Sequence, residues 1–338
     1  MRKKIRFLII ITLCLVVILG IASFAFAWHV LDTIVRPQTD YTRDYDVSYT
    51  KVFHRYPQLQ YWQEDLIEKG LWRDTMITAD DGVKLHGVFI QHDSAAMTAM
   101  VIHGYRDNAV IMMRYAYLCY LLKLNVFMPE MRYHGKSGDD HTLLGWNDRY
   151  DMLRWIKIVH ERWPDQEIFM YGLSMGAACT LSTAGEGTPD YVRGFISDCA
   201  PTNVWDGFQT IAYNEFGLPK FPFYYMASWL CDLRYGFSFK DASAYSMVSH
   251  IEKPVLFVHG DQDKIVPVQM GFELYNHKEN GKRELWVATG CDHARAIHNH
   301  YDLYLDHIGE FVNTLLGRAY NTERPDAVAF KKANGAAE

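Results

Sequence analysis

A serine hydroxyl becomes a useful nucleophile only when the chain exposes it and a neighbouring base takes its proton. The segment Tyr171-Gly172-Leu173-Ser174-Met175-Gly176 contains G-x-S-x-G and directly follows the apolar run Ile168-Phe169-Met170. In a strand-to-helix turn this tight only small residues fit beside the serine, and Gly172 and Gly176 supply them. The turn lifts the Ser174 hydroxyl out at the carboxyl end of its strand, above a helix N-terminus. The chemistry this predicts is acyl transfer, with the N–H of Met175 as one donor to the developing oxyanion.

Such a serine needs a histidine base and a carboxylate to orient it. Downstream, the apolar run Val255-Leu256-Phe257-Val258 leads into a loop with Asp261 and Asp263, both candidates for the carboxylate. A further run, Arg283–Ala288, is followed by Thr289-Gly290-Cys291-Asp292-His293-Ala294. His293, His298 and His300 all follow this last strand, and His293 lies nearest its end. The order serine, aspartate, histidine places each group on a loop at the carboxyl end of its own strand, where open α/β sheets hold their sites. Cys291 lies close to His293 but has no elbow of its own. The spacing of His298 and His300 does not make the paired ligands of H-E-x-x-H, and no C-x-x-C occurs, so neither a metal nor a cofactor is expected.

These pieces, with His103-Gly104-Tyr105 and Arg132-Tyr133-His134-Gly135-Lys136-Ser137, resemble the α/β-hydrolase superfamily over roughly residues 72–317. More narrowly, the chain resembles membrane-anchored bacterial α/β-hydrolases that share features with the serine aminopeptidase-like and monoacylglycerol lipase-like branches. The resemblance implies that the second aspartate of His259-Gly260-Asp261-Gln262-Asp263 is the triad acid, which selects Asp263 over Asp261. It assigns the base to His293, set in Asp-His-Ala, and the second oxyanion donor to the backbone N–H of Tyr105. His103, His134 and His259 are read as structural, His103 hydrogen-bonding within its turn.

The elements that must position these groups can be read from alternating apolar runs. Strands are expected at 97–102, 125–130, 167–172, 192–198, 254–259 and 284–288, with helices near 109–123, 146–163, 175–186, 267–278 and 300–317. Arg73–Thr78 and Val83–Gln91 flank the hairpin signal Asp80-Asp81-Gly82. The pattern predicts a mostly parallel sheet of about eight strands with helices on both faces. The alternation breaks at about residues 200–250. There Trp205, Phe208, Tyr213, Phe216, Phe221, Phe223, Tyr224, Tyr225 and Trp229 mark a helical cap. Residues 29–71 read as a lead-in with a helix near Leu59–Gly70, and 318–338 as a mobile tail.

At the N-terminus, Arg2, Lys3, Lys4 and Arg6 precede Phe7 to Trp28, a stretch without Asp, Glu, Lys or Arg. As a helix it would span about 33 Å, close to the roughly 30 Å of a hydrocarbon core. Residues 1–28 are therefore read as a single-pass membrane anchor with the N-terminus inside and the enzyme outside. The competing reading is secretion after cleavage of a signal peptide at Ala25-Phe26-Ala27. Cysteine usage fits export poorly. Beyond Cys14 an odd number remains, Cys119, Cys179, Cys199, Cys231 and Cys291, and they read as buried apolar residues. With 338 residues, 49% hydrophobic content and net charge −6, the chain is globular, and nucleic acid is not an expected partner.

The sequence thus points to a serine hydrolase acting on a small-molecule ester, a carboxylesterase or small-acyl lipase. Alternatives are an aminopeptidase or acyl-peptide hydrolase, with Glu215 or Asp232 receiving an amino terminus, and a surface binding module without catalysis.

Overall fold

The computed structural model describes residues 2–37, 42–209 and 220–318. Its centre is an eight-stranded sheet in the order β1-β2-β4-β3-β5-β6-β7-β8. The strands are β1 (Trp72–Thr78), β2 (Lys84–Ile90), β3 (Thr98–Ile102), β4 (Asn125–Pro129), β5 (Ile168–Leu173), β6 (Val192–Asp198), β7 (Val255–Gly260) and β8 (Arg283–Ala288). The β1–β2 and β2–β4 pairs are antiparallel, and every pair from β4 to β8 is parallel. The β1–β2 hairpin turns at Gly82, whose φ of 89° suits glycine.

Strands β3, β4 and β5 are buried along their whole length, which their continuous apolar runs require of a sheet covered on both faces. Alternation sorts their side chains into two cores. Ala99, Val101, Phe169 and Tyr171 pack under α4 (Met113–Leu121) and α10 (Tyr301–Leu315). Met100, Ile102, Met170 and Phe257 pack under α5 (Asp148–Arg162), α6 (Met175–Gly185) and α9 (Val268–His277).

The segment before the sheet is more helical than its sequence suggests. Helix α2 (Tyr45–Arg55) starts at Asp44, whose side chain accepts from the N–H groups of Asp46 and Val47. Helix α3 (Pro57–Glu68) follows at once. Helix α1 runs unbroken from Arg2 to Val35, past the expected boundary at residue 28. Its first part is exposed and strongly apolar, a candidate membrane span. Its last turns are not exposed: Ala27, Val30, Leu31, Ile34 and Val35 are buried against Val204, Trp205, Phe208, Tyr224, Ala227, Leu230 and Phe239 of the cap.

The cap comprises helical residues 204–209, a segment from Lys220 to Tyr224 continuing into α7 (Tyr225–Tyr235), and the short α8 (Ala244–Val248). Tyr213, Glu215, Phe216 and the tail from residue 319 lie outside the described residues.

Candidate active site

The turn between β5 and α6 has no room for side chains at its glycines. A Cβ on Gly172 would lie 2.2 Å from the carbonyl oxygen of Gly176, and one on Gly176 would lie 2.4 Å from those of Ile102 and His103. Between them Ser174 is held at φ 53°, ψ −115°, a conformation that costs energy and that the packed turn enforces. Its backbone N–H donates to the Asp198 carbonyl (2.8 Å), pinning the turn to the end of β6.

The Ser174 hydroxyl donates to Nε2 of His293 at 2.9 Å, and Nδ1–H of His293 donates to Oδ2 of Asp263 at 2.7 Å. The other carboxylate oxygen, Oδ1, accepts from the N–H groups of Ile265 (2.9 Å) and Val266 (2.8 Å). Burial alone would raise the pKa of Asp263. Hydrogen bonds from His259 and His293, the charge of His293 and the Val266 N–H outweigh it and hold the carboxyl down at about 2. An ionised Asp263 fixes the tautomer in which Nε2 of His293 is free to accept.

Asp261 faces elsewhere. Its carboxylate accepts from the N–H of Gly290 at 2.7 Å and ties the loop after β7 to the turn after β8. The remaining histidines are occupied. His103 donates from Nδ1 to the Gly104 carbonyl (2.8 Å) and accepts at Nε2 from Met131 N–H (2.9 Å). His134 donates to the Arg132 carbonyl and His259 to that of Val266. His298 is bound to Tyr56 and Arg114, and His300 bonds the Thr289 carbonyl. All five cysteines beyond Cys14 are buried and free, and burial pushes the thiol of Cys291 up.

Beside Ser174 opens a small apolar cavity, partly open to solvent. Tyr105 and Met175, the two residues expected to donate N–H groups to an oxyanion, line it together with Ser174. Leu144 and Trp146 form one side, Val204 and Phe208 of the cap another. Asp232 is exposed on α7 and is not part of this lining.

Two acids near the serine carry no signal in the sequence. Asp198 is buried and accepts from the Tyr304 hydroxyl at 2.6 Å, and burial raises its carboxyl to about 6. Asp107 stands just past the His103-Gly104-Tyr105 turn. A Cβ placed on Gly104 would lie 3.1 Å from its Oδ2 and 3.5 Å from Cβ of Ser174. Burial raises the Asp107 carboxyl to about 6 against the pull of Lys51 and His293.

Ligand-type side chains cluster twice among the described residues. In Cys199, Asp263 and His293, two members already bond each other and burial pushes the Cys199 thiol well up. In Asp139, Asp140 and His141, the carboxylates pair with Arg132 and Arg36.

Residues 100–225 match a family model described as alpha/beta hydrolase fold. The chain is 28% identical over 238 residues to the uncharacterized protein YqkD of Bacillus subtilis, covering 69% of this chain and 77% of that one. It is also 28% identical over 247 residues to the uncharacterized protein YfhR of Escherichia coli K12, covering 71% and 80%. Among solved structures, the Pyrococcus furiosus esterase Pf2001 superposes with a TM-score of 0.60 at 25% identity, over 72% of this chain and 90% of that one. An acylaminoacyl peptidase of Pyrococcus horikoshii shares the fold, with a TM-score of 0.52 at 15% identity, over 77% of this chain and 44% of that one. Sheet order, elbow and these likenesses agree: the chain has the alpha/beta hydrolase fold.

Proposed function

We propose that the protein is a membrane-anchored serine hydrolase that cleaves an ester with an apolar acyl group. The observation that carries the reading is the hydrogen-bonded chain Ser174–His293–Asp263 opening beside an apolar cavity. Ser174 Oγ attacks the ester carbonyl carbon while His293 Nε2 takes the hydroxyl proton. The oxyanion that forms is held by the N–H groups of Met175 and Tyr105. As the tetrahedral intermediate collapses, the carbon–oxygen bond to the alcohol breaks and His293 returns the proton to the leaving oxygen. Water, deprotonated by His293, then attacks the acyl-enzyme and frees the acid and Ser174. Asp263 orients the ring throughout and stabilises it when charged. The test is labelling of the full chain by a fluorophosphonate, followed by turnover of p-nitrophenyl esters graded in acyl length. Labelling at Ser174 with turnover of short to medium esters is the expected result. No labelling would remove the reading.

Amide hydrolysis is the second reading, and Asp107 favours it. A carboxylate beside Ser174 gives the amino group of an aminoacyl substrate a counter-ion. Asp107→Asn should then depress turnover of aminoacyl amides while sparing neutral esters.

The anchor is proposed to be uncleaved. Helix α1 continues through Ala25-Phe26-Ala27, and Ala27 is buried under the cap. Basic residues before the span put the N-terminus inside and the hydrolase outside. Protease added to intact cells should digest the domain. Protection of the whole chain would refute this topology.

A further inference from the structure

The last turns of α1 pack behind residues that line the cavity. Tyr105, Leu144, Val204, Phe208 and Ala242 line the cavity and belong to the same apolar cluster as Ala27, Val30, Leu31, Ile34 and Val35. The Tyr105 hydroxyl donates to the Ile34 carbonyl at 2.7 Å. The cavity therefore lies one layer of side chains from the end of the proposed anchor.

The same junction fixes the height of α7. Contact between α1 and the cap begins at Phe26, whose ring meets that of Phe223 edge-on with centroids 4.8 Å apart. That is close to where the stretch from Phe7 without Asp, Glu, Lys or Arg runs out, just before Asp32, so the cap meets α1 at the level where a spanning helix leaves the hydrocarbon. One face of α7, with Ala227, Leu230 and Cys231, is buried in the cluster with α1. The other exposes Tyr225 (49%), Trp229 (56%) and Leu233 (70%), four residues apart, and Phe221 just before the helix is 75% exposed. Large apolar and aromatic side chains in such a row are unexpected on a surface facing only water. Arg234 lies over the ring of Trp28 at 4.8 Å, and Asp232 is exposed beside it. Aromatic rings rimmed by charge are what the headgroup layer accommodates.

We propose that the exposed face of α7 lies in the interfacial layer of the bilayer that α1 spans, so that the cavity takes acyl esters from that membrane. The proposal rests on reading α1 as an anchor and the site as an esterase. It adds the source of the substrate and the surface that delivers it. The occupant of the apolar face is a lipid leaflet, because the face is continuous with the segment that itself enters lipid.

The test uses the full chain in phosphatidylcholine–phosphatidylglycerol nanodiscs, with a nitroxide on single cysteines. Leu233→Cys is made in a Cys14→Ala background, where the other cysteines are buried. The native Cys14 serves as the label inside α1, and Tyr61→Cys on the exposed face of α3 as the aqueous reference. Oxygen should reach position 233 more readily than a water-soluble nickel chelate does, as at Cys14 and unlike position 61. Accessibility at 233 equal to that at 61 overturns the proposal, and a Cys14 label in water overturns the anchor and the proposal together. In the second arm, Trp229→Asp with Leu233→Asp should lower hydrolysis of diacylglycerol in the same nanodiscs by about tenfold or more, since charge is costly at membrane depth. Hydrolysis of soluble p-nitrophenyl butyrate should not change. Equal loss on both substrates overturns delivery from the membrane. If the wild type cleaves neither, the esterase reading fails on its own account, and the label still decides where α7 lies.

Discussion

Ser174, Asp263 and His293 all stand within five residues of the end of a strand, on β5, β7 and β8. The opposite side of the cavity, with Val204 and Phe208, rests on no strand. It is held by the last turns of α1 and by cap helices that pack against them. The floor inherits its precision from a sheet whose hydrogen bonds fix every position. The roof is an apolar cluster in which shape is set by packing alone. Damage to the floor should therefore remove chemistry and leave the fold, whereas damage to the roof should lower stability and substrate affinity and leave the chemistry. The largest expected effect is on the floor. Ser174→Ala deletes one oxygen and should cut kcat by roughly 10⁴–10⁶ with an unchanged melting temperature. Fluorophosphonate labelling of the variant at another serine would break the contrast at its source.

The two aspartates of the β7 loop sharpen it, because they share a loop and differ only in what they hold. Asp263→Asn keeps the shape but removes the charge that orients His293, so kcat should fall by roughly 10²–10⁴ while the chain stays folded. Asp261→Asn loosens the bond to Gly290 N–H and should cost about 1 kcal/mol of stability, with kcat little changed. Measuring kcat and melting temperature of both variants decides the assignment. The reverse pattern would move the acid to Asp261.

Why the floor was readable and the roof was not follows from the same difference. Each of the eight strands lies within about two residues of its expected limits, the central ones because a strand buried on both faces must be a short, unbroken apolar run. Gly172 and Gly176 announce the elbow, since no other residue fits there. Choosing Asp263 over Asp261 needed the family resemblance. Nothing in the two side chains says which turns toward His293. Helix α2 has a weak signal because its partly buried face mixes Tyr45, Tyr49 and Phe53 with polar neighbours, and periodicity is blurred. The union of α1 with the cap joins residues 27–35 to residues 204–242, a long-range contact with no local signature. Asp107 and Asp198 are equally silent. An aspartate in a loop gives no sign of standing near Ser174 until the chain is folded around it.

On the roof, Leu31→Ala removes a buried side chain from the junction of α1 and the cap. Emptying such a site costs about 2–5 kcal/mol. The melting temperature of the detergent-solubilised chain should fall, and KM for a soluble ester should rise, while fluorophosphonate still labels Ser174. A variant that melts like the wild type would mean that α1 and the cap are not packed together in solution.

The smallest effect should come from Tyr105→Phe, which touches both regions at once. The backbone N–H of Tyr105 belongs to the floor as a proposed oxyanion donor. Its hydroxyl belongs to the roof through the 2.7 Å bond to the Ile34 carbonyl. Phenylalanine keeps the N–H and the ring, which packs edge-on against Phe208 with centroids 4.9 Å apart. Only the hydroxyl is lost, and one hydrogen bond contributes about 0.5–1.5 kcal/mol. If the sheet alone fixes the oxyanion turn, kcat is unchanged and the melting temperature drops slightly. If α1 helps to fix it, kcat falls several-fold with KM unchanged, because an oxyanion donor acts on the transition state and not on the bound ester. We expect the first pattern, since Gly104 is already wedged against the Leu173 carbonyl and Ser174. A fall in kcat alone would show that α1 reaches into the chemistry.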